Sequence, residues 1–208
     1  MKKLIVILLL LCVSFTLHAK DFILTEKMIN EIKIIDGLYE KYNTIKAKFI
    51  QKDNLGNRGE GWFIISKPGK ARIEYSNIPV RFIANKGALL YQDTSLKQKT
   101  FLPIHSSPFA YLLEDKTSFL NAHIKIMNYV SYSTHVEITM VSKNNPEIGS
   151  LTLYLTSEKA EIIKWNVVDA KGIVTEVFLL EPTFSVNGVK NQSIFNTQKI
   201  KNVQFANL

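Results

Sequence analysis

Hydrophobic and polar residues alternate with a period of two along most of the chain beyond residue 46. Between residues 70 and 75 every second side chain is charged and the others are apolar, and leucine occupies every second position from 151 to 155. Because alternate side chains of a strand point to opposite faces, each such segment is predicted to be a half-buried β-strand. The predicted strands comprise residues 47–51, 61–67, 70–75, 80–84, 88–92, 97–102, 136–140, 151–155, 163–167 and 173–180.

Short turn signals separate these strands. Asn85-Lys86-Gly87 is typical of a tight hairpin, and residues 53–57, 68–69, 144–146 and 169–172 are rich in Asp, Asn, Gly and Pro. About ten strands joined by short turns predict an antiparallel meander. A sheet of that size must curl or close, so the chain is predicted to be mainly β with some α.

One long helix is predicted ahead of the strands, at residues 25–47, with Thr25 as its N-cap. Its apolar residues recur at spacings of three and four, which is the helical period. This apolar stripe comprises Met28, Ile32, Ile35, Leu38, Tyr39, Tyr42 and Ile45. Gly37 weakens the middle of the helix, and we expect the stripe to pack on the sheet.

A second interruption lies within the strand region. Residues 106–114 predict a short helix with Pro108 in its first turn, and Phe109, Leu112 and Leu113 would share one of its faces. Another short helix or turn is predicted at 116–122. Two interpretations stay open, because such an insertion either covers the mouth of a curled sheet or simply connects two strands.

The first residues predict a secretory signal peptide over residues 1–19, cleaved after Ala19. A basic start is followed by an apolar run of fourteen residues from Leu4 to Leu17, short for a membrane span of ~20 residues. Cys12 lacks the small preceding residue of a lipoprotein signal, because Leu11 stands there. Residues 20–208 are then predicted to form a single exported domain.

Charge and chemistry narrow the function further. Without Lys2 and Lys3 the counts are 24 basic and 18 acidic residues, a net charge of +6, and no run of five like charges suggests nucleic-acid binding. The predicted mature chain has no cysteine, which favours a bacterial periplasm. His105, His123 and His135 lack metal-ligand spacing, and no GxSxG elbow or phosphate loop is present. We therefore expect no enzyme, metal site or cofactor.

The number of apolar strand faces poses a question that the sequence leaves open. One helix cannot cover ten strands, so either the sheet closes tightly on itself or an apolar cavity remains.

Several stretches of the chain resemble the LolA-type periplasmic carriers of outer-membrane lipoproteins. The most specific is a strand, a Lys-Pro-Gly turn and an Arg-containing strand, within residues 59–75. The other matching stretches are residues 49–51, 83–87 with Tyr91, 96–98, 149–153 and 165–175. The resemblance covers nearly the whole predicted mature chain.

The resemblance implies an unclosed antiparallel β-barrel of about 10–11 strands, with an N-terminal helix and a short helical lid over an apolar cavity. It also implies a periplasmic carrier that ferries lipoprotein acyl chains from the inner to the outer membrane. The implied partners are lipoproteins, an inner-membrane ABC-type release complex and, in many bacteria, an outer-membrane receptor lipoprotein. We expect a monomer. Alternative functions are a lipid or glycolipid carrier, or an envelope sensor or adaptor.

Strand parity, combined with this resemblance, predicts which side chains face the acyl chains. The cavity residues are predicted to be Phe63, Ile65, Ala71, Ile73, Tyr75, Leu151, Leu153, Leu155, Trp165 and Val167. Phe109, Leu112 and Leu113 are the predicted lid residues.

The sequence offers two candidates for the residue that latches the lid. Many members of this family have arginine before the turn proline, where it holds the lid, whereas this chain has Lys67. Lysine has three donors on a flexible stem in place of a planar fork. Arg72 is the second latch candidate, although parity places it on the face opposite to Ile73.

Overall fold

The computed structural model describes residues 22–113, 118–200 and 205, so the predicted signal peptide lies outside the described residues. Within these described residues, eleven strands form one antiparallel sheet. The strands are β1 (Thr44–Asp53), β2 (Arg58–Ser66), β3 (Lys70–Tyr75), β4 (Val80–Asn85), β5 (Ala88–Asp93), β6 (Gln98–Pro103), β7 (Ile124–Ser131), β8 (His135–Ser142), β9 (Gly149–Thr156), β10 (Ile162–Asp169) and β11 (Val174–Ser185).

The order of the strands shows that the sheet is unclosed. It runs β6-β5-β4-β3-β2-β1-β11-β10-β9-β8-β7, so each strand follows its neighbour in the chain except where β1 pairs with β11. β6 and β7 form the two edges and do not pair with each other. The predicted fold class, an unclosed antiparallel barrel with an N-terminal helix, is confirmed.

Helix α1 (Glu26–Tyr39) begins where the sequence predicts. The Thr25 hydroxyl accepts a hydrogen bond from the Met28 amide at 3.3 Å, which satisfies one of the free amides of the first turn. The predicted end at residue 47 is wrong, because the helix stops at Tyr39 and β1 starts at Thr44. Tyr42 and Ile45 continue the helical spacing, yet sheet pairing with β11 extends the backbone there.

Strand β7 was not predicted from the sequence. Its register shifts between Ile126 and Asn128, so the buried residues Ile124, Ile126 and Tyr129 do not keep a period of two. A bulge of this kind adds one residue and hides the alternation on which the prediction depends.

The predicted short helix between β6 and β7 is present as two 3-10 helices, Ile104–Ser106 and Pro108–Leu113. We call residues 104–113 the lid segment. Of the predicted element at 116–122, residues 114–117 lie outside the described part of the chain, and a turn follows at 119–123.

Two apolar clusters lie on opposite faces of the sheet. The larger, which we call the concave cluster, joins α1, the lid segment and the inner faces of the strands. The smaller comprises Ile64, Ile83 and Leu90 with Ile194 and Phe195, from a C-terminal segment that crosses the outer face.

Candidate functional site

All ten predicted cavity residues lie in or against the concave cluster. The strand register brings them together, because Phe63 pairs with Ile73, Ile65 with Ala71, and Trp165 with Leu153. Seven of the ten are buried, and Ile73, Tyr75 and Val167 are partly buried. Parity therefore places these side chains on one apolar surface, and their contact with acyl chains stays a prediction.

A row of aromatic rings runs along this surface from the lid segment towards the β6 edge. Neighbouring ring centroids are 5.2 to 6.4 Å apart, within the range for favourable aromatic pairs. In order along the row, the rings are Phe109, Trp165, Phe63, Phe49, Tyr75, Phe82 and Tyr91. The row gives the concave face a continuous, polarisable apolar floor.

Glycine at position 59 makes room for part of this floor. A Cβ atom on Gly59 would lie 2.7 Å from the Tyr75 ring and 3.0 Å from the Gln51 side chain. The Tyr75 hydroxyl instead donates to Gln51 Oε1 at 2.7 Å. Burial raises the pKa of Tyr75 to about 12, so this hydroxyl stays neutral and suits an apolar surface.

The concave face is covered in this structure by α1 and the lid segment. Ile32 and Tyr39 of α1 and Leu112 of the lid segment are each 0% exposed. Leu153 beneath them is also 0% exposed, so no water-sized space adjoins its side chain. A ligand could reach Leu153 only after the covering elements move, and the predicted cavity stays a prediction.

The lid segment is held at its two ends by turns of the sheet. The Gly69 amide donates to the Leu113 carbonyl at 2.6 Å, and the Ile104 amide donates to the Gly87 carbonyl at 3.0 Å. Between these ends, the Phe109 ring lies 5.9 Å from the Trp165 ring. Phe109, Leu112 and Leu113 thus all contact or belong to the concave cluster.

Helix α1 is fixed to the chain that follows the lid segment through Asp36. Its carboxylate accepts from the Ser118 hydroxyl and from the Phe119 amide, each at 2.9 Å. Burial raises the pKa of Asp36, and these two hydrogen bonds oppose that rise. The contact keeps Phe119, which is fully buried, against the Tyr39 ring at 5.8 Å.

The two latch candidates lie on different faces. Lys67 is 7% exposed, donates to the Tyr39 carbonyl at 3.2 Å and lies 4.3 Å above the Tyr39 ring, two residues before the turn that holds the lid segment. Arg72 lies on the outer face and donates to the Ile194 carbonyl at 2.8 Å. Strand parity thus directs Arg72 away from the lid segment. A latch role for Lys67 stays a prediction.

The role of Arg72 on the outer face was missed by the sequence analysis. It is 0% exposed, and its Nε donates to Glu74 at 2.7 Å while the guanidinium also pairs with the same carboxylate through a second nitrogen. The Asn85 amide donates to the Phe195 carbonyl at 3.0 Å beside it. These contacts fasten the C-terminal segment, and no local sequence signal indicates them.

An apolar cavity adjoins the concave cluster at the start of α1. Its volume is about 240 Å³. Its lining residues are Phe22, Leu24, Phe119, Leu120, Asn121, Ile124, Lys125, Ile126 and Lys143, and of these Phe119, Ile124 and Ile126 are buried members of the concave cluster.

The sequence matches the family model for the outer membrane lipoprotein carrier protein LolA over residues 40–198, which covers the sheet, the lid segment and Ile194 and Phe195 on the outer face. The chain belongs to the LolA family. This family is one of periplasmic carriers that bind lipids or lipoproteins. A comparison of this sequence with curated proteins finds no significant match.

Comparison with solved structures finds similar chains at low sequence identity. A DUF1329 family protein from Desulfovibrio piger superposes with a TM-score of 0.53 at 6% identity, covering 83% of this chain and 97% of that one. A putative outer membrane lipoprotein-sorting protein domain from Vibrio parahaemolyticus gives a TM-score of 0.48 at 13% identity, covering 83% and 96%. Among the described residues, no helix has the length and apolar character needed to cross a membrane.

Proposed function

We propose that this protein is a periplasmic carrier that shields the acyl chains of lipoproteins on its concave face and ferries them from the inner to the outer membrane. The observation that carries the proposal is the concave cluster, an apolar surface that extends across the strands and is covered by a lid segment with separate attachments. Membership of the LolA family supports the same function. The proposal assigns binding and transfer, and no catalytic step.

The energetics favour direct transfer between apolar surfaces. Exposing three acyl chains of ~15 methylenes to water would cost roughly 36 kcal/mol. Non-covalent binding saturates near 20 kcal/mol, so no carrier can compensate fully for that exposure. An inner-membrane ABC-type release complex would therefore pass the chains directly to this carrier, and an outer-membrane receptor lipoprotein or the outer membrane itself would take them.

Opening of the lid segment is the conformational step that the proposal requires. The concave cluster is closed in this structure, so acyl chains would replace the contacts that Leu112 and Phe109 make with it. Ile73, Tyr75 and Val167 are partly exposed already and mark where the chains would first touch the sheet.

The test is capture of a lipoprotein in its acylated and unacylated forms. The purified protein is expected to retain the acylated form and to release the unacylated one, because the acyl chains supply the binding energy. Equal capture of both forms would contradict the proposal.

A pair of variants then tests whether the concave face is the surface that binds the acyl chains. Ile73→Glu places a carboxylate on the concave surface and is expected to abolish capture. Ile50→Glu is the matched control, because it makes the same change at a position 43% exposed on the outer face, and it should retain capture. Ile73 is partly buried, so this variant is expected to fold, which thermal unfolding checks. Normal capture by folded Ile73→Glu protein would refute the assignment of the face.

A further inference from the structure

The Tyr39 hydroxyl is a buried polar group that the closed structure leaves without a partner. Tyr39 is the last residue of α1, belongs to the concave cluster and is 0% exposed. Among the described residues, none forms a hydrogen bond with its hydroxyl. A buried hydroxyl without a hydrogen bond destabilises a protein, and most such groups in native structures have a partner. Phenylalanine would fill nearly the same space without this loss, so the hydroxyl requires an explanation.

Two other tyrosines of the concave cluster show how such a hydroxyl is usually satisfied. The Tyr75 hydroxyl donates to Gln51 Oε1 at 2.7 Å, and the Tyr129 hydroxyl donates to Glu31 Oε2 at 2.9 Å. Tyr39 has no comparable acceptor among the described residues, so its hydrogen is available to donate.

Tyr39 lies where the elements that cover the concave face meet. Lys67, which donates to the Tyr39 carbonyl at 3.2 Å, precedes the turn whose Gly69 amide holds Leu113 at the end of the lid segment. Phe119, whose ring lies 5.8 Å from the Tyr39 ring, follows the lid segment and lines the cavity of about 240 Å³. The movement of these elements that the proposed function requires therefore also changes the surroundings of the Tyr39 hydroxyl.

The chemistry of this hydroxyl matches the polar end of an acyl chain. Burial raises the pKa of Tyr39 above its ordinary value, so the oxygen keeps its proton and stays a neutral donor. An acyl chain is a hydrocarbon that ends in a carbonyl, and that carbonyl also loses its water when the chain is bound in an apolar site. An ester or amide carbonyl is a neutral acceptor, so each of the two groups satisfies the other.

We infer that the Tyr39 hydroxyl donates a hydrogen bond to the carbonyl oxygen at the head of a bound acyl chain. The inference rests on the proposed function, since it takes the concave face as the site for the chain. It adds a specificity to that function, because chains joined through an ester or amide carbonyl are then preferred over plain alkyl chains of the same length.

The experiment compares two soluble lipids that differ only in this carbonyl, palmitoyl-lysophosphatidylcholine and its hexadecyl ether analogue. Equilibrium dialysis of the purified protein, at lipid concentrations too low for micelles, is expected to show about tenfold tighter binding of the ester. Tyr39→Phe should reduce this preference to less than about twofold and leave the affinity for the ether unchanged. Because the substitution removes an unpaired buried hydroxyl, the variant should melt at the same temperature as the unchanged protein or higher.

Tyr129→Phe is the matched control, because it removes a hydroxyl of the concave cluster that already has a partner in Glu31. It should keep the preference for the ester and melt at a lower temperature. Infrared spectra of the bound ester report the hydrogen bond directly, since donation to a carbonyl lowers its stretching frequency. That frequency should be lower in the unchanged protein and in Tyr129→Phe than in Tyr39→Phe, and equal frequencies in all three would contradict the inference.

Other outcomes separate this inference from the carrier proposal. Equal affinity of the unchanged protein for the two lipids would refute the role of Tyr39 and leave the carrier proposal intact, as would a preference that persists in folded Tyr39→Phe protein. Binding of neither lipid would also refute the role of Tyr39. Capture of acylated lipoprotein then decides whether the carrier proposal fails with it.

Discussion

At the scale of single residues, Arg72 shows how one side chain can fix a distant segment. Its guanidinium is fully buried between Glu74 of its own strand and the Ile194 carbonyl, 122 residues away in the chain. Burial lowers the pKa of Arg72, and the Glu74 carboxylate opposes that effect. Arg81 approaches the same carboxylate at 3.3 Å, so two cations share one anion on the outer face.

Replacing Arg72 by alanine is expected to lower the free energy of unfolding by roughly 3 kcal/mol, because Glu74 loses its buried partner and the Ile194 carbonyl loses its donor. Urea unfolding measures this loss. Lys48→Ala, which removes an exposed cation paired with Glu181 at 2.8 Å, should cost about 0.5 kcal/mol or less. Equal losses in the two variants would contradict the assigned role of Arg72.

At the scale of secondary-structure elements, the question is whether the lid segment opens on its own or only when the whole protein unfolds. Leu112 and Leu90 are both 0% exposed leucines, but Leu112 belongs to the lid segment and Leu90 lies in the outer cluster. They therefore allow the stability of the lid segment to be separated from that of the whole fold. Regions that open on their own exchange amide hydrogen faster than the core does.

Leu112→Ala is expected to accelerate hydrogen exchange of residues 104–113 by about tenfold or more, because its cavity weakens the closed lid by at least about 2 kcal/mol. Leu90→Ala should destabilise the protein by a similar amount in denaturant and leave lid exchange unchanged. Mass spectrometry of the exchanged peptides measures both. If Leu90→Ala accelerates lid exchange equally, the lid segment opens only when the whole protein unfolds.

The secondary-structure elements also show which features of the fold can be predicted from the sequence. Strands with clean alternation, such as β9 with its three leucines, were predicted, because a half-buried strand requires that pattern. Strand β7 was missed where a bulge breaks the period, and α1 was extended too far because Tyr42 and Ile45 keep its spacing. The closed state of the concave face and the fastening of the C-terminal segment depend on contacts between distant residues, which no local pattern records.

At the scale of the whole molecule, an unclosed sheet leaves two edges where another chain could pair. Every residue of β6 is exposed, including Phe101 at 56% and Leu102 at 41%. Three features oppose such pairing. Lys97 adopts a positive φ of 57° at the entrance to the strand, Lys99 places a charge within it, and Pro103 at its end has no N–H to donate.

These features lead us to expect a monomer, and Lys99→Val tests the reason. The substitution places valine on the same side of β6 as Phe101, which creates an apolar edge without its protecting charge. Sedimentation velocity should show association that increases with concentration for Lys99→Val, while the unchanged protein stays monomeric. Lys159→Val, which removes the same charge from an exposed turn, should also stay monomeric. Association of both variants would mean that net charge, and not protection of the β6 edge, prevents the chains from associating.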